Sequence, residues 1–116
     1  MKAKNLLSLL AVLFLSACIY ANGGRSTVVY SNIDNCATGC VKEFMTCDKD
    51  TNKPLSKNVY KYDPNGRMLE KTTYRWSDKN GWEGVQKLEY SYGQDNQPQT
   101  PCLKKWDKKN SNWIEE

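Results

Sequence analysis

A unit of apolar or aromatic residues, an aspartate and a turn is written five times along this chain. Met45-Thr46-Cys47-Asp48 precedes Lys-Asp-Thr-Asn, Tyr60-Lys61-Tyr62-Asp63 precedes Pro-Asn-Gly, and Tyr74-Arg75-Trp76-Ser77-Asp78 precedes Lys-Asn-Gly. Tyr90-Ser91-Tyr92-Gly93 then precedes Gln-Asp-Asn, and Leu103-Lys104-Lys105-Trp106-Asp107 precedes Lys-Lys-Asn. Asp48, Asp63, Asp78, Gly93 and Asp107 fall about 15 residues apart. That spacing holds one strand and one turn and is too short for a helical-repeat solenoid. The expected fold class is therefore all-β: a small antiparallel β-meander, either one curled sheet or a small sandwich.

The turns have a chemical logic. In Asp63-Pro64-Asn65-Gly66 the carboxylate accepts from backbone N–H groups, Pro presets φ, and Gly takes the positive φ that closes the turn. Four-residue turns place Tyr62 opposite Arg67 and Ser77 opposite Trp82. Tyr60, Tyr62, Leu69, Trp82, Leu88, Tyr90 and Tyr92 then share one face, while Met68, Tyr74 and Trp76 take the other. Along 82–92 the alternation is clean except at Val85. Strands are predicted at 26–31, 41–48, 56–63, 67–77, 82–92, 102–107 and 113–116. A turn or short helical stretch is predicted through Cys36–Cys40, and a longer loop from Gln94 to Pro101.

The first 21 residues read as an export leader. Lys2 and Lys4 precede an apolar run from Leu6 to Leu15 that only Ser8 interrupts. Ten residues are too few to cross a bilayer as a helix, which takes about 20. Two cleavages fit. Leu15-Ser16-Ala17-Cys18 has the order of a lipoprotein signal, cut before a Cys18 that is then acylated. Ile19-Tyr20-Ala21 suits ordinary signal peptidase, cut after Ala21. The lipoprotein is preferred, with soluble periplasmic or secreted export as the alternative; residues 22–26 then form a flexible tether and 27–116 the single folded domain. Seventeen basic residues face thirteen acidic ones, net +4; without Lys2 and Lys4 the balance is fifteen to thirteen, +2. That is too little to suggest a nucleic-acid partner. Lys104-Lys105 and Lys108-Lys109 read as a solvated edge. With Cys18 lipidated or discarded, Cys36, Cys40, Cys47 and Cys102 form an even set. In an oxidising compartment they predict two disulfides, with three possible connectivities. Their spacing does not suit a four-thiolate zinc site.

Tyr62-Asp63-Pro64-Asn65-Gly66-Arg67-Met68-Leu69-Glu70-Lys71-Thr72, followed by Gly81-Trp82-Glu83 and Trp106-Asp107 through Trp113, resembles a family of small exported proteins of Bacteroides-type bacteria, catalogued as domain of unknown function 3836. The resemblance covers about Val41 to Trp113. It implies an all-β meander without an assigned activity, and so transfers no catalytic residue. The Tyr62-Asp63-x-x-Gly66-Arg67 core is also similar to the tyrosine-aspartate repeats of large bacterial shell proteins, which need many tandem copies.

The chain has no histidine. That removes Ser-His and Cys-His catalysis and His-ligated metal sites. No phosphate-binding glycine loop is present, and no cofactor or metal is expected. Glu70, Glu83 and Glu89 alternate with lysines, the pattern of cross-strand charge pairing. The expectation is a non-enzymatic, exported cell-envelope module that binds an extracytoplasmic protein or a glycan. Trp76, Trp82, Trp106 and Trp113, with Arg67 and Arg75, are the candidate binding residues, since aromatic and arginine side chains dominate binding hot spots. The competing assignment puts the four indoles in the core. The functional alternatives are a structural envelope protein or inhibitor, and a carboxylate enzyme acting on glycans.

Overall fold

The recurring turns divide the chain into short strands, and each strand pairs with the next. The computed structural model describes residues 12–16 and 26–115. The candidate cleavage positions at Cys18 and Ala21, and the tether up to residue 25, lie outside the described residues. The strands are β1 (Val12–Ser16), β2 (Thr27–Cys36), β3 (Gly39–Asp48), β4 (Pro54–Tyr62), β5 (Met68–Ser77), β6 (Gly81–Glu89), β7 (Cys102–Asp107) and β8 (Asn112–Glu115). They form one antiparallel sheet in chain order, with no crossover. The meander is thus open and single-layered, and the sandwich alternative falls. No helix occurs among the described residues. Cys36–Cys40 is a hairpin in which Cys36 pairs with Gly39.

The turns repeat as the sequence does. Asn52, Gly66, Gly81, Asn96 and Ser111 have positive φ, and they fall 14 or 15 residues apart. At four of the five turns a carboxylate collects the backbone donors. Asp48 Oδ1 accepts from the N–H groups of Asp50 and Thr51, Asp63 Oδ1 from Asn65 and Arg67, Asp95 Oδ1 from Gln97, and Asp107 Oδ1 from Lys109 and Asn110. Asp78 departs from the pattern. Ser77 Oγ accepts from Asn80 N–H instead, which frees the Asp78 carboxylate for other contacts.

The loops are one residue tighter than four-residue turns require. Asp63 N–H donates to the Arg67 carbonyl, so Tyr62 pairs with Met68, and Ser77 pairs with Gly81. A bulge at Val85 follows: Tyr74 pairs with Gly84 but Thr73 with Gln86. The single extra residue turns the strand over. Tyr60 and Leu88 share a face as expected, both paired with Lys71. Trp82 does not share it; it pairs with Trp76 and so joins Tyr74 and Trp76 on the other face.

One layer has almost no interior. Among the described residues only Cys47, Ser31 and Thr72 are buried. The four cysteines, expected to form two disulfides, are free thiols, and the register gives the reason. Cys36 and Cys40 fall on opposite faces, because Cys40 pairs with Asn35, the neighbour of Cys36. Cys40 and Cys47 sit seven residues apart on one strand. Cys47 on β3 and Cys102 on β7 are separated by β4, β5 and β6, about 19 Å across a flat sheet at about 4.8 Å per strand. A disulfide needs Cα atoms within about 7 Å. Burial pushes the Cys47 thiol pKa up.

The Arg67 N–H, together with its guanidinium and the Asn65 N–H, holds the Asp63 carboxyl below its usual range. Such a group stabilises the fold above its unfolded pKa of about 3.9, and that contribution is lost as pH falls through the lower folded value. Asp63→Asn should therefore lower the urea midpoint at neutral pH, and the gap to wild type should close in acid. A gap that is independent of pH contradicts this assignment.

Candidate functional site

The bulge at Val85 gathers the tryptophans. With Trp82 turned over, Trp76 and Trp82 on neighbouring strands meet edge to face, centroids 5.1 Å apart. Trp106 pairs with Trp113 across β7 and β8 in the same way at 5.0 Å. Tyr74 lies edge-on to Trp106 at 6.5 Å and to Trp113 at 6.0 Å. Register places all five rings on one face, toward the end of the sheet that carries the β5–β6 and β7–β8 turns. Each ring is half-buried, so neither core nor free display describes them.

Lys57 on β4 links the Trp76–Trp82 pair to Tyr74, which itself meets the second pair. Its ammonium sits 4.5 Å from the Trp82 centroid and 5.1 Å from that of Tyr74, and 3.5 Å from Glu43 on β3. Lys87 lies 5.9 Å from the Trp113 ring and 3.6 Å from Glu70, which also pairs with Lys61 at 3.7 Å. Lys104 lies between Glu89 at 3.7 Å and Glu115 at 2.8 Å. Side-chain exposure is only 20, 19 and 17% for Lys57, Lys87 and Lys104. Their aliphatic stems therefore cover apolar surface while the heads meet rings and carboxylates. Lys104, predicted on a solvated edge, belongs to this face, and the Glu115 carboxylate raises its pKa. Lys105, Lys108 and Lys109 are exposed.

Gly84 is the floor under the second pair. A Cβ there would strike the indole of Trp113 and come within 2.6 Å of Trp106. The missing side chain lets both indoles lie across β6. At the turn end, Trp76 Nε1 donates to Asp78 Oδ1 at 3.1 Å, and Lys53 Nζ to Asp78 Oδ2 at 2.6 Å. The Lys53 contact, aided by Trp76, lowers the Asp78 pKa.

The two arginines stand apart from the cluster. Arg75 is exposed on the opposite face, paired with Ser56 and Glu83. Arg67 lies at the other end of the sheet. Its Nε donates to Asp63 Oδ2 at 2.8 Å, Nη1 donates to Asn96, and its guanidinium stacks 4.8 Å from Tyr92. It clamps the β4–β5 turn to the β6–β7 loop. The structure thus brings together Trp76, Trp82, Trp106 and Trp113, leaves out both arginines, and adds Lys57, Tyr74, Gly84 and Lys87. Val85, the one break in the alternation of β6, is the sequence signal that could have found this arrangement. Among the described residues no group of three or more Cys, Asp or Glu side chains could hold a metal ion.

Gly84→Val should displace the Trp106–Trp113 pair and cost about 1–3 kcal/mol, as overpacking does. Tryptophan emission should shift to the red and acrylamide quenching should rise. An unchanged spectrum contradicts the contact between Gly84 and the indoles.

No curated protein and no solved structure matches the chain. The model of one family, described as a family of unknown function (DUF3836), matches residues 1–116, the whole length. The chain, with its open antiparallel meander, therefore belongs to the DUF3836 family.

Proposed function

We propose that this chain is a non-enzymatic, exported module of the cell envelope that binds an extracytoplasmic protein through the aromatic face. The observation that supports this is the half-burial of Tyr74, Trp76, Trp82, Trp106 and Trp113 on one face of a sheet that has no second layer among the described residues. Tyrosine and tryptophan give large contact areas at low entropic cost, and interfaces concentrate them. A protein suits this face better than a glycan. Sugar stacking needs an open ring face, whereas these rings meet one another edge to face and Lys57 and Lys87 sit over Trp82 and Trp113.

The processed domain, immobilised and exposed to envelope extract, should retain a protein partner. Trp82→Lys, checked by circular dichroism, should reduce that retention at least tenfold, and a glycan array should stay blank. Equal retention by the variant, or binding confined to sugars, contradicts the reading.

Attachment to the membrane is proposed through an acylated Cys18, on the strength of Leu15-Ser16-Ala17-Cys18. Each buried acyl methylene contributes about 0.8 kcal/mol. Cells fed a labelled fatty acid should label the wild type and not Cys18→Ala. Equal labelling of the two, or of neither, excludes the anchor.

A further inference from the structure

The two faces of the sheet differ in charge. Of the described strand glutamates, Glu43, Glu70, Glu89 and Glu115 lie on the tryptophan face, and each meets a lysine there. Only Glu83 lies on the reverse face, where it pairs with Arg75 in register and accepts from Asn80 Nδ2. Lys42, Lys71, Arg75 and Lys105 share that reverse face. Among the described residues no salt bridge engages any of these four. Lys42 and Lys71 rest 5.2 and 6.0 Å from the Tyr62 and Tyr60 centroids, and Arg75 and Lys105 are exposed. Apolar side chains interleave with the cations. One row across the reverse face reads Ile33, Lys42, Tyr60, Lys71, Leu88 and Leu103, from β2 to β7. Leu69, Leu103 and Ile114, all exposed, stand on the same face.

We infer that the reverse face docks on the surface of an anionic lipid bilayer, its four cations among the headgroups and Leu69, Leu103 and Ile114 at the acyl boundary. The inference goes beyond the protein partner of the tryptophan face and requires neither that partner nor an acylated Cys18. Charge complementarity gives the sign of the occupant, since four cations stand against one glutamate. Spacing gives its form. Lys42 on β3 and Lys105 on β7 are four strand spacings apart, about 19 Å across a flat sheet. No compact anion meets both, whereas a planar array of phosphates does. The aliphatic side chains between the cations select lipid over a nucleic acid or an acidic polypeptide, because a bilayer offers headgroup charge and hydrocarbon at adjacent depths. Tyr60, Tyr62 and Tyr90, also on this face, suit the same boundary, where amphipathic rings collect. In this orientation the four tryptophans point away from the lipid.

The test uses the Cys18→Ala protein isolated from the producing cells, so that no acyl chain contributes. The probes are vesicles of phosphatidylcholine, alone or with an equal part of phosphatidylglycerol. Binding should be at least about tenfold tighter to the anionic vesicles, and added salt should weaken it. Lys42→Gln, Lys71→Gln, Arg75→Gln and Lys105→Gln together should cut the affinity for anionic vesicles at least about tenfold. Lys49→Gln, Lys79→Gln, Lys108→Gln and Lys109→Gln remove the same charge from exposed turn positions and should leave most of it. A leader retained on the protein adds equally to each variant and leaves this comparison intact. The tryptophans report orientation. The sheet holds them about 10 Å from the lipid, so their emission should keep its maximum on binding, and lipids brominated on the acyl chains should not quench it. Equal binding to the two vesicles, equal loss in the two variant sets, or quenching by brominated lipid overturns the inference. So does tight binding of polyglutamate or DNA by a protein indifferent to anionic vesicles. If the first set unfolds, Arg75→Gln with Lys105→Gln, both at exposed positions, decides, and an unchanged affinity overturns the docking. None of these outcomes alters the retention of a protein partner by the tryptophan face, which is read separately.

Discussion

The carboxylate-capped turn is the constraint on which the rest of this sheet depends. Each positive-φ residue reverses the chain at nearly the same interval, and Asp48, Asp63, Asp95 and Asp107 satisfy the backbone donors that the reversal exposes. Strand length follows from the interval between turns, and pairing in chain order follows from strand length. With loops this short no strand can reach over the sheet to start a second layer. The fold is therefore open by construction, and every face is a surface. Turn chemistry normally serves a core; here the turns take over part of the core's task of specifying the structure.

Asp78 shows what happens when one turn is released from that duty. Ser77 takes the backbone donor, and the Asp78 carboxylate accepts from Trp76 Nε1 and Lys53. The indole ring is thereby oriented toward Trp82, while the β3–β4 loop is tied to the β5–β6 turn. Lys57 performs a similar linkage within the face, reaching Glu43, Tyr74 and Trp82 from a single strand position. Aromatic pairs in edge-to-face geometry are each worth about 0.5–1.5 kcal/mol beyond their buried area. The face thus supplies cohesion that a domain of this length normally draws from an interior.

The element pattern was legible in the sequence because it is written in local chemistry. Six of the seven strands after residue 26 lie within three residues of their predicted spans; β2, predicted to end at residue 31, runs on to Cys36. The aromatic face was not legible, because the face of a residue depends on the parity of one count. The expected pairing of Ser77 with Trp82 implies Thr73 opposite Gln86 and Lys71 opposite Leu88, and the strands do pair that way beyond the bulge. Between the bulge and the turn the count differs by one residue, and that is where Trp82 lies. Val85 recorded the change as a break in alternation, but such a break has the same look as an exposed apolar residue. The cysteines failed differently. An even count states how many bridges are possible and carries no information on distance. Only the register shows that Cys47 and Cys102 stand four strand spacings apart.

Half-burial of the tryptophans follows from the same geometry. A ring on a single-layered sheet can be covered from the side by its neighbours on adjacent strands, but not from above. Edge-to-face packing and lysine stems are the lateral cover available, and they leave each ring with part of its surface in water. The charges are balanced along with the rings: Glu70 lies between Lys61 and Lys87, and Lys104 between Glu89 and Glu115. An apolar face laced with neutralised charge resists indiscriminate collapse, since a mismatched surface would have to strip water from these ions without replacing their partners. A matched surface keeps the pairs and gains the exposed ring area. The charge pairs that lace the uncovered sheet therefore also restrict which surfaces can cover it.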